Sequence, residues 1–217
     1  MGTRTRSGVK LVLASRSPRR ARMLREAGYV FEQVDPPFDD PPQPEPTTGA
    51  AGASPADLAM DLALQKAMSL RHSLADQAGG AVILAADTIC VDAQGHLIGQ
   101  PQDREAALQI LQRFNQSEHE VVTGVALVPA EESSEPVEFA DTARVRWGCL
   151  SDEAIQAYLD TGQWRGKAGG YNLEERQQAG WPIEVKGDPA TVVGLPMRAL
   201  RPRLARLGIR PEGDAGP

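Results

Sequence analysis

At 217 residues, with 41% apolar and 24% charged side chains, the chain suits one large α/β domain, or two lobes around one cleft, and is unlike a disordered or fibrous protein. Its formal net charge of -6 argues against general binding to a nucleic-acid polymer through the phosphate backbone. Apolar runs such as Ala81–Ala86 stop far short of the roughly 20 residues that a membrane-spanning helix needs.

Met1–Arg6 is charged but is followed only by the short apolar run Val9–Ala14, a strand rather than the core of a signal peptide, and Arg6 stands where a myristoylation signal wants Ser or Thr. A cytoplasmic location is therefore expected. The strand runs into Ser15-Arg16-Ser17-Pro18, where Ser17 suits an N-cap and Pro18 a first helical residue. Ala21, Leu24 and Ala27 form the apolar stripe of that helix, which ends at Gly28, and a second strand is expected over Tyr29–Val34. Prolines crowd residues 35–53 and exclude regular structure there.

Ser54-Pro55 opens another helix, with Ala59, Leu62, Ala63, Ala67 and Leu70 along one face and Lys66 on that same face. Ala81–Val91 is a buried strand interrupted at Asp87-Thr88, and Asp92-Ala93-Gln94-Gly95 turns the chain back to His96-Leu97-Ile98. Asp103 caps a helix that packs Ala107, Ile110, Leu111 and Phe114, strands follow over Glu120–Val128 and Val137–Trp147, and Ser151 starts a helix with Ile155, Tyr158 and Leu159 apolar. The Gly-rich run Gly166–Gly170 precedes a last strand near Ile183–Lys186, Gly194-Leu195-Pro196 leads into a C-terminal helix, and Pro211–Pro217 reads as a loose tail.

Residues 1–25 carry eight basic side chains and no acid, a local patch suited to a small polyanion. Arg19 and Arg20 fall in the first turn of a helix, where the macrodipole disfavours a cation by about 0.3–1 kcal/mol, so an anion is expected to offset them. A phosphate fits, held by free N–H groups, the Ser15 and Ser17 hydroxyls and two guanidinium forks. Asp87, placed at a strand end, is either satisfied by neighbouring backbone or faces a cation, a metal or other donors, and is a candidate general base or metal ligand. Lys66 and Lys167 are its candidate positive partners, against the commoner reading of surface side chains that snorkel.

His72, His96 and His119 show neither HxxxH nor HExxH spacing and read as polar or capping residues. Cys90 and Cys149, far apart and without CxxC spacing, read as buried, reduced thiols. Gly166–Gly170 matches neither a P-loop nor a dinucleotide fingerprint and licenses only a tightly turning or flexible cleft wall.

Leu11-Val12-Leu13-Ala14-Ser15-Arg16-Ser17-Pro18-Arg19-Arg20 resembles the opening signature of Maf proteins, and Ala85-Ala86-Asp87-Thr88 their central block. Similar blocks follow in order at Lys66-Ala67, Gly99-Gln100-Pro101, His119–Gly124, Lys167–Tyr171, Gly187-Asp188 and Val193–Pro196, so the resemblance spans Lys10 to Leu207. It implies an α/β fold of the Maf/ITPase-like kind: an elongated mixed β-sheet flanked by helices, two lobes around a deep cleft. It also implies a basic extension at residues 1–9, a single catalytic domain over 10–208 that contains the loop 35–53, and a flexible tail at 209–217.

The activity implied is hydrolysis of a nucleoside triphosphate to the monophosphate and pyrophosphate, of either the dTTP/UTP type or the N7-methyl-GTP type. Asp87 would be the proton acceptor, Ser15, Arg19, Arg20, Lys66 and Lys167 would hold the phosphates, and Arg19, Thr88 and Glu174 would set base choice. A divalent metal, Mg2+ with Mn2+ as a substitute, would be held by Asp40 and Asp87. No nucleic-acid polymer or membrane is expected as partner, and homodimerisation is compatible with the resemblance. Two departures stand out. Gln100 replaces a lysine usual in the family, and Glu174 replaces the glutamine of the dTTP- and UTP-preferring members, which favours a guanine-like base. The competing readings are a nucleotide-binding regulator that does not hydrolyse and, on family association alone, a cell-division adaptor.

Overall fold

The computed structural model describes residues 9–38, 54–74 and 80–213. The extension at residues 1–8, Asp40 with most of the proline-rich stretch, and residues 214–217 lie outside the described residues. Strand β1 (Lys10–Ala14) buries its last four residues and leads through Ser15–Ser17 into helix α1 (Pro18–Glu26), which Ser17 caps by accepting from the Arg20 N–H. Strand β2 is Glu32–Val34, shorter than expected. The reason lies in the helix end: with Gly28 at φ 80, the Tyr29 N–H returns to the Leu24 carbonyl at 3.0 Å, so Tyr29 closes the helix instead of starting a strand.

Helix α2 (Pro55–Leu74) precedes the long strand β3 (Ala81–Val91), the short β4 (Leu97–Ile98), helix α3 (Arg104–Phe114) and the paired strands β5 (Glu118–Pro129) and β6 (Val137–Trp147). Asp103 and Ser151 cap α3 and helix α4 (Asp152–Asp160) as expected. Two short helices go beyond the elements expected from sequence: α5 (Leu173–Gln178), capped by Asn172, and α6 (Pro189–Val193), capped by Asp188, on either side of β7 (Ile183–Lys186). Helix α7 (Met197–Arg206) follows Gly194. Beyond it Ile209 is 5% exposed and the Glu212 N–H donates to the Gly28 carbonyl at 2.8 Å, so the first residues of the expected tail pack against the domain.

The sheet is mixed, in the order β2-β1-β3-β5-β6-β7 with β4 also on β3. β1 is parallel to both neighbours, and the remaining pairs are antiparallel. Alternation along the strands sorts the core by face. Leu11, Leu13, Val82, Leu84 and Ala86 pack with Leu24 of α1 and Leu200 and Leu204 of α7, whereas Val12, Ile83 and Ala85 pack with Ala63 and Ala67 of α2. A third cluster, rich in aromatic rings, joins β5 and β6 to α3 and α4. The helices therefore flank the sheet on both faces; separate lobes are not delineated by it.

Two expectations are corrected. β3 is not interrupted at Asp87-Thr88, because its ladder with β5 runs unbroken from Val82↔Pro129 to Val91↔Glu120. Asp87 is accordingly mid-strand rather than at a strand end. On the other edge, the pairing with β1 stops at Leu13↔Leu84 and that with β4 starts at Cys90↔Ile98, so among the described residues Ala85–Ile89 have no strand beside them there. Cys149 is exposed, unlike Cys90, because it follows β6 in the connection to α4. Among the described residues no helix is long and apolar enough to cross a membrane.

Candidate active site

The open edge of β3 looks into a cleft of about 480 Å³, within the size range of small-molecule sites. It lies past the carboxyl end of β1, so Ser15 to Arg20 form one wall, while Gly166–Ala168 and Tyr171–Leu173 form the other. Because Asp87 and Thr88 are neighbours on a strand, they point to opposite faces of the sheet, and only an edge without a partner strand lets both line one cleft.

On the α2 face, Lys66 reaches Asp87 with Nζ 2.5 Å from Oδ1, at 12% and 16% side-chain exposure. The carboxylate thus has the cationic partner its burial demands. On the other face Arg20 donates from Nε to the Gly194 carbonyl at 2.8 Å, from Nη2 to Thr88 Oγ1 at 3.2 Å and from Nη1 to Ser15 Oγ at 3.4 Å. Ser15 is buried, accepts from the Ser17 N–H at 3.1 Å, and its carbonyl accepts from Gln33 Nε2 at 2.8 Å. Arg19 lines the cleft and, among the described residues, makes no hydrogen bond or ion pair. Lys167 lines the opposite wall with its ammonium 2.7 Å from Glu175.

Ser15, Arg19, Arg20, Lys66, Asp87, Thr88 and Lys167 are therefore gathered around one cavity, with Gln100 beside them. Glu174 is not among the lining residues. It is ion-paired with Arg22 at 42% side-chain exposure, and the bond to Glu174, more than any other cause, raises the Arg22 pKa. Among the described residues, Arg16, Arg19, Arg20, Lys66 and Lys167 set five cationic side chains against the one carboxylate of Asp87, an excess that favours a polyanion.

Among the described residues no group of three or more His, Cys, Asp or Glu could hold a metal by itself. One carboxylate facing a cationic pocket does fit Mg2+, which is commonly bound through one or two carboxylates together with substrate phosphates. Such a site would need the phosphates of its ligand to complete it.

His119, read from sequence as polar or capping, is 1% exposed in the aromatic cluster. Its ring stacks on Phe114 at 3.8 Å and its Nε2 lies 2.8 Å from the hydroxyl of Tyr171, a cleft-lining residue. Burial depresses its pKa to about 3, while burial raises the Cys90 thiol to about 12. The unfolded chain protonates this histidine below about pH 6.5 and the folded one does not until about pH 3, so stability rises with pH in that window and is lost as pH falls through it. From pH 7 to 5 the loss is about 2 kcal/mol. Thermal melts at the two pH values should show a clear fall in Tm that is flattened in His119→Gln; an equal fall in the variant would assign the acid sensitivity elsewhere.

Thr123 and Gly194 are not among the lining residues but back them, Thr123 through Thr88 and Gly194 through Arg20, and sequence places both only within motif blocks. Thr123 was detectable as the polar residue within Val121-Val122-Thr123-Gly124-Val125, a run that is otherwise buried strand.

Comparison with known proteins gives a match of residues 10–207 to the family model for "Maf-like protein". A "dTTP/UTP pyrophosphatase" of Symbiobacterium thermophilum is 39% identical over 201 residues, 92% of this chain and 94% of that protein. One of the same name from Salinibacter ruber is 37% identical over 190 residues, 88% and 87% of the respective chains. Among solved structures, a nucleoside-triphosphatase / dITP/XTP pyrophosphatase from Mycobacterium abscessus overlaps with TM-score 0.39 and 19% identity, covering 71% of this chain and 95% of its own, a likeness too loose to bear on the site.

Proposed function

The chain belongs to the Maf family, and from that premise we propose that it hydrolyses a nucleoside triphosphate, with dTTP and UTP as substrates, to the monophosphate and pyrophosphate. The observation that carries this reading is the cleft itself: among the described residues, five cationic side chains and a helix N-terminus converge on one cavity, with one carboxylate, Asp87, facing them. Charge neutralisation and in-line positioning are what phosphoryl chemistry needs, and no covalent nucleophile is required.

In this proposal Ser15, Arg19, Arg20, Lys66 and Lys167 bind the triphosphate, and Asp87 accepts the proton of the water that attacks the α-phosphorus. Asp87 and Asp40 would hold Mg2+, and Mg2+ when bound would supply neutralisation of phosphate charge. A cytoplasmic location, where nucleotides are plentiful, goes with this chemistry.

The base preference rests on the names of the relatives, both dTTP/UTP pyrophosphatases. Glu174 favours the guanine reading only if its carboxylate meets the base, and here that carboxylate is held by Arg22 away from the lining residues. Release of pyrophosphate and monophosphate from dTTP, UTP, CTP, GTP and N7-methyl-GTP in the presence of Mg2+ tests both parts. dTTP and UTP are expected to be turned over fastest. Turnover confined to the guanine nucleotides would reject the pyrimidine preference, and binding without turnover of any nucleotide would favour a regulator that does not hydrolyse.

A further inference from the structure

Behind the cleft, three threonines from three elements link Arg20 along one face of the sheet to β6. Thr88 of β3 and Thr123 of β5 face each other in register, with their hydroxyl oxygens 2.9 Å apart. The Thr123 hydroxyl lies 2.8 Å from the main-chain carbonyl of Thr191 in α6, and the Thr191 hydroxyl bonds to Asp141 of β6. Thr123 and Thr191 are fully buried.

Each hydroxyl has one proton, and that fixes the direction of the chain. A carbonyl can only accept, so Thr123 spends its proton on Thr191. Thr88 must then donate to Thr123, and the Arg20 guanidinium must donate to Thr88. Every link points away from the cleft, an arrangement in which successive bonds polarise one another. Thr88 consequently has no proton for a ligand and can meet one only as an acceptor.

Gly194 completes the cradle. It sits at φ 111, directly after α6, with its carbonyl on Arg20 Nε. A Cβ there would come within 3.2 Å of Thr88 Oγ1 and 3.4 Å of Arg20 Nε, so the close approach of this segment to the arginine needs glycine. Three N–H groups of the planar guanidinium are thereby committed to Gly194, Thr88 and Ser15, which sets the plane of the fork.

We propose that Thr123 and Thr191 are positioning residues of the phosphate site: they orient Arg20 from behind through this one-way hydrogen-bonded chain and touch no substrate. The role assigned to Arg20 rests on the triphosphate reading given above.

Binding of inorganic tripolyphosphate to the full chain, measured calorimetrically, tests the idea without requiring turnover, alongside KM and kcat for the best nucleotide. Thr123→Val removes the hydroxyl at nearly constant volume and should weaken tripolyphosphate binding and raise KM by roughly tenfold, the usual scale for one broken buried hydrogen bond. Thr123→Ser, which keeps the hydroxyl, should stay within about twofold of the parent protein. Thr191→Val leaves the accepting carbonyl in place and loosens only its anchor on Asp141, so a smaller change of the same sign is expected, and it serves if Thr123→Val does not fold. Equal behaviour of the Val and Ser variants at position 123, or a parent chain that does not bind tripolyphosphate, would overturn the proposal. A parent chain that binds tripolyphosphate but hydrolyses no nucleotide would remove the proposed function and leave the comparison of variants decisive for the relay.

Discussion

Asp87→Asn is expected to lower turnover by roughly 10²–10⁴-fold, the range over which a positioned acid or base contributes, while leaving the affinity for metal-free tripolyphosphate unchanged or slightly increased. Among the described residues, Asp87 is the sole carboxylate lining the cleft, at 16% side-chain exposure. The amide has nearly the same shape but cannot take a proton from water. It also leaves the Lys66 ammonium, 2.5 Å from the carboxylate in the parent protein, without its counter-charge and available to phosphate oxygens. Rate and metal-free affinity should therefore separate: kcat falls and tripolyphosphate binding does not weaken. Steady-state kinetics with the preferred nucleotide, beside tripolyphosphate binding, read the two quantities apart. If Asp87→Asn keeps more than about a tenth of the turnover, the pair with Lys66 is structural and the proton acceptor lies elsewhere.

The second large effect is expected at Gly124, which pairs with Asp87 across the β3–β5 ladder. A Cβ at this position would overlap the carbonyl group of Ala59 and the nitrogen of Met60, all of them main-chain atoms of α2. No rotation of a side chain can relieve that contact, so α2 must move away from the sheet. Overpacking usually costs about 1–3 kcal/mol, and a clash of main chain with Cβ belongs at the top of that range or beyond it. The displaced helix is the one that carries Lys66, two turns further along the face that bears Ala59. Gly124→Ala should thus lower Tm and weaken phosphate binding together, whereas Ala59→Gly, which leaves the clashing carbonyl in place, should not rescue it. A variant as stable and as active as the parent would mean that α2 stands further from β5 than the structure has it.

Local patterns carried most of the fold. Ser17-Pro18, Asp103 and Ser151 mark helix starts because capping is read within a few residues, and the alternation that buries Val82, Leu84 and Ala86 on one face and Ile83 and Ala85 on the other is equally local. What escaped depended on partners far away in the chain. Asp87-Thr88 looked like an interruption because polar residues are rare in buried strands, but the ladder with β5 holds them, and the open edge that exposes them is a matter of where β1 and β4 stop. Helix α5 carries a local signal of its own: Asn172 accepts from the Glu175 N–H at 3.0 Å, the spacing of a helix start.

In the site, Ser15, Arg19, Arg20, Lys66, Asp87, Thr88 and Lys167 could be nominated by residue type and motif, and they share one cleft. The pairing of Glu174 with Arg22, 152 positions apart, could not be read from spacing. His119 shows the same limit. Its burial and its bond to Tyr171 come from packing among rings of several elements, which no motif around it announces.

The bond from Arg20 to the Gly194 carbonyl joins residues 174 positions apart. On a ribosome, the arginine and the first strand emerge long before that carbonyl exists, and β1, with only β2 beside it at first, must wait for its second parallel partner, β3, near residue 81. A nascent chain that stops short of Gly194 can assemble most of the sheet but carries an arginine whose cradle has not been made. Completion of the proposed phosphate site is then one of the last events of synthesis, and the dominance of such distant pairings should make folding slow relative to a helical protein of equal length.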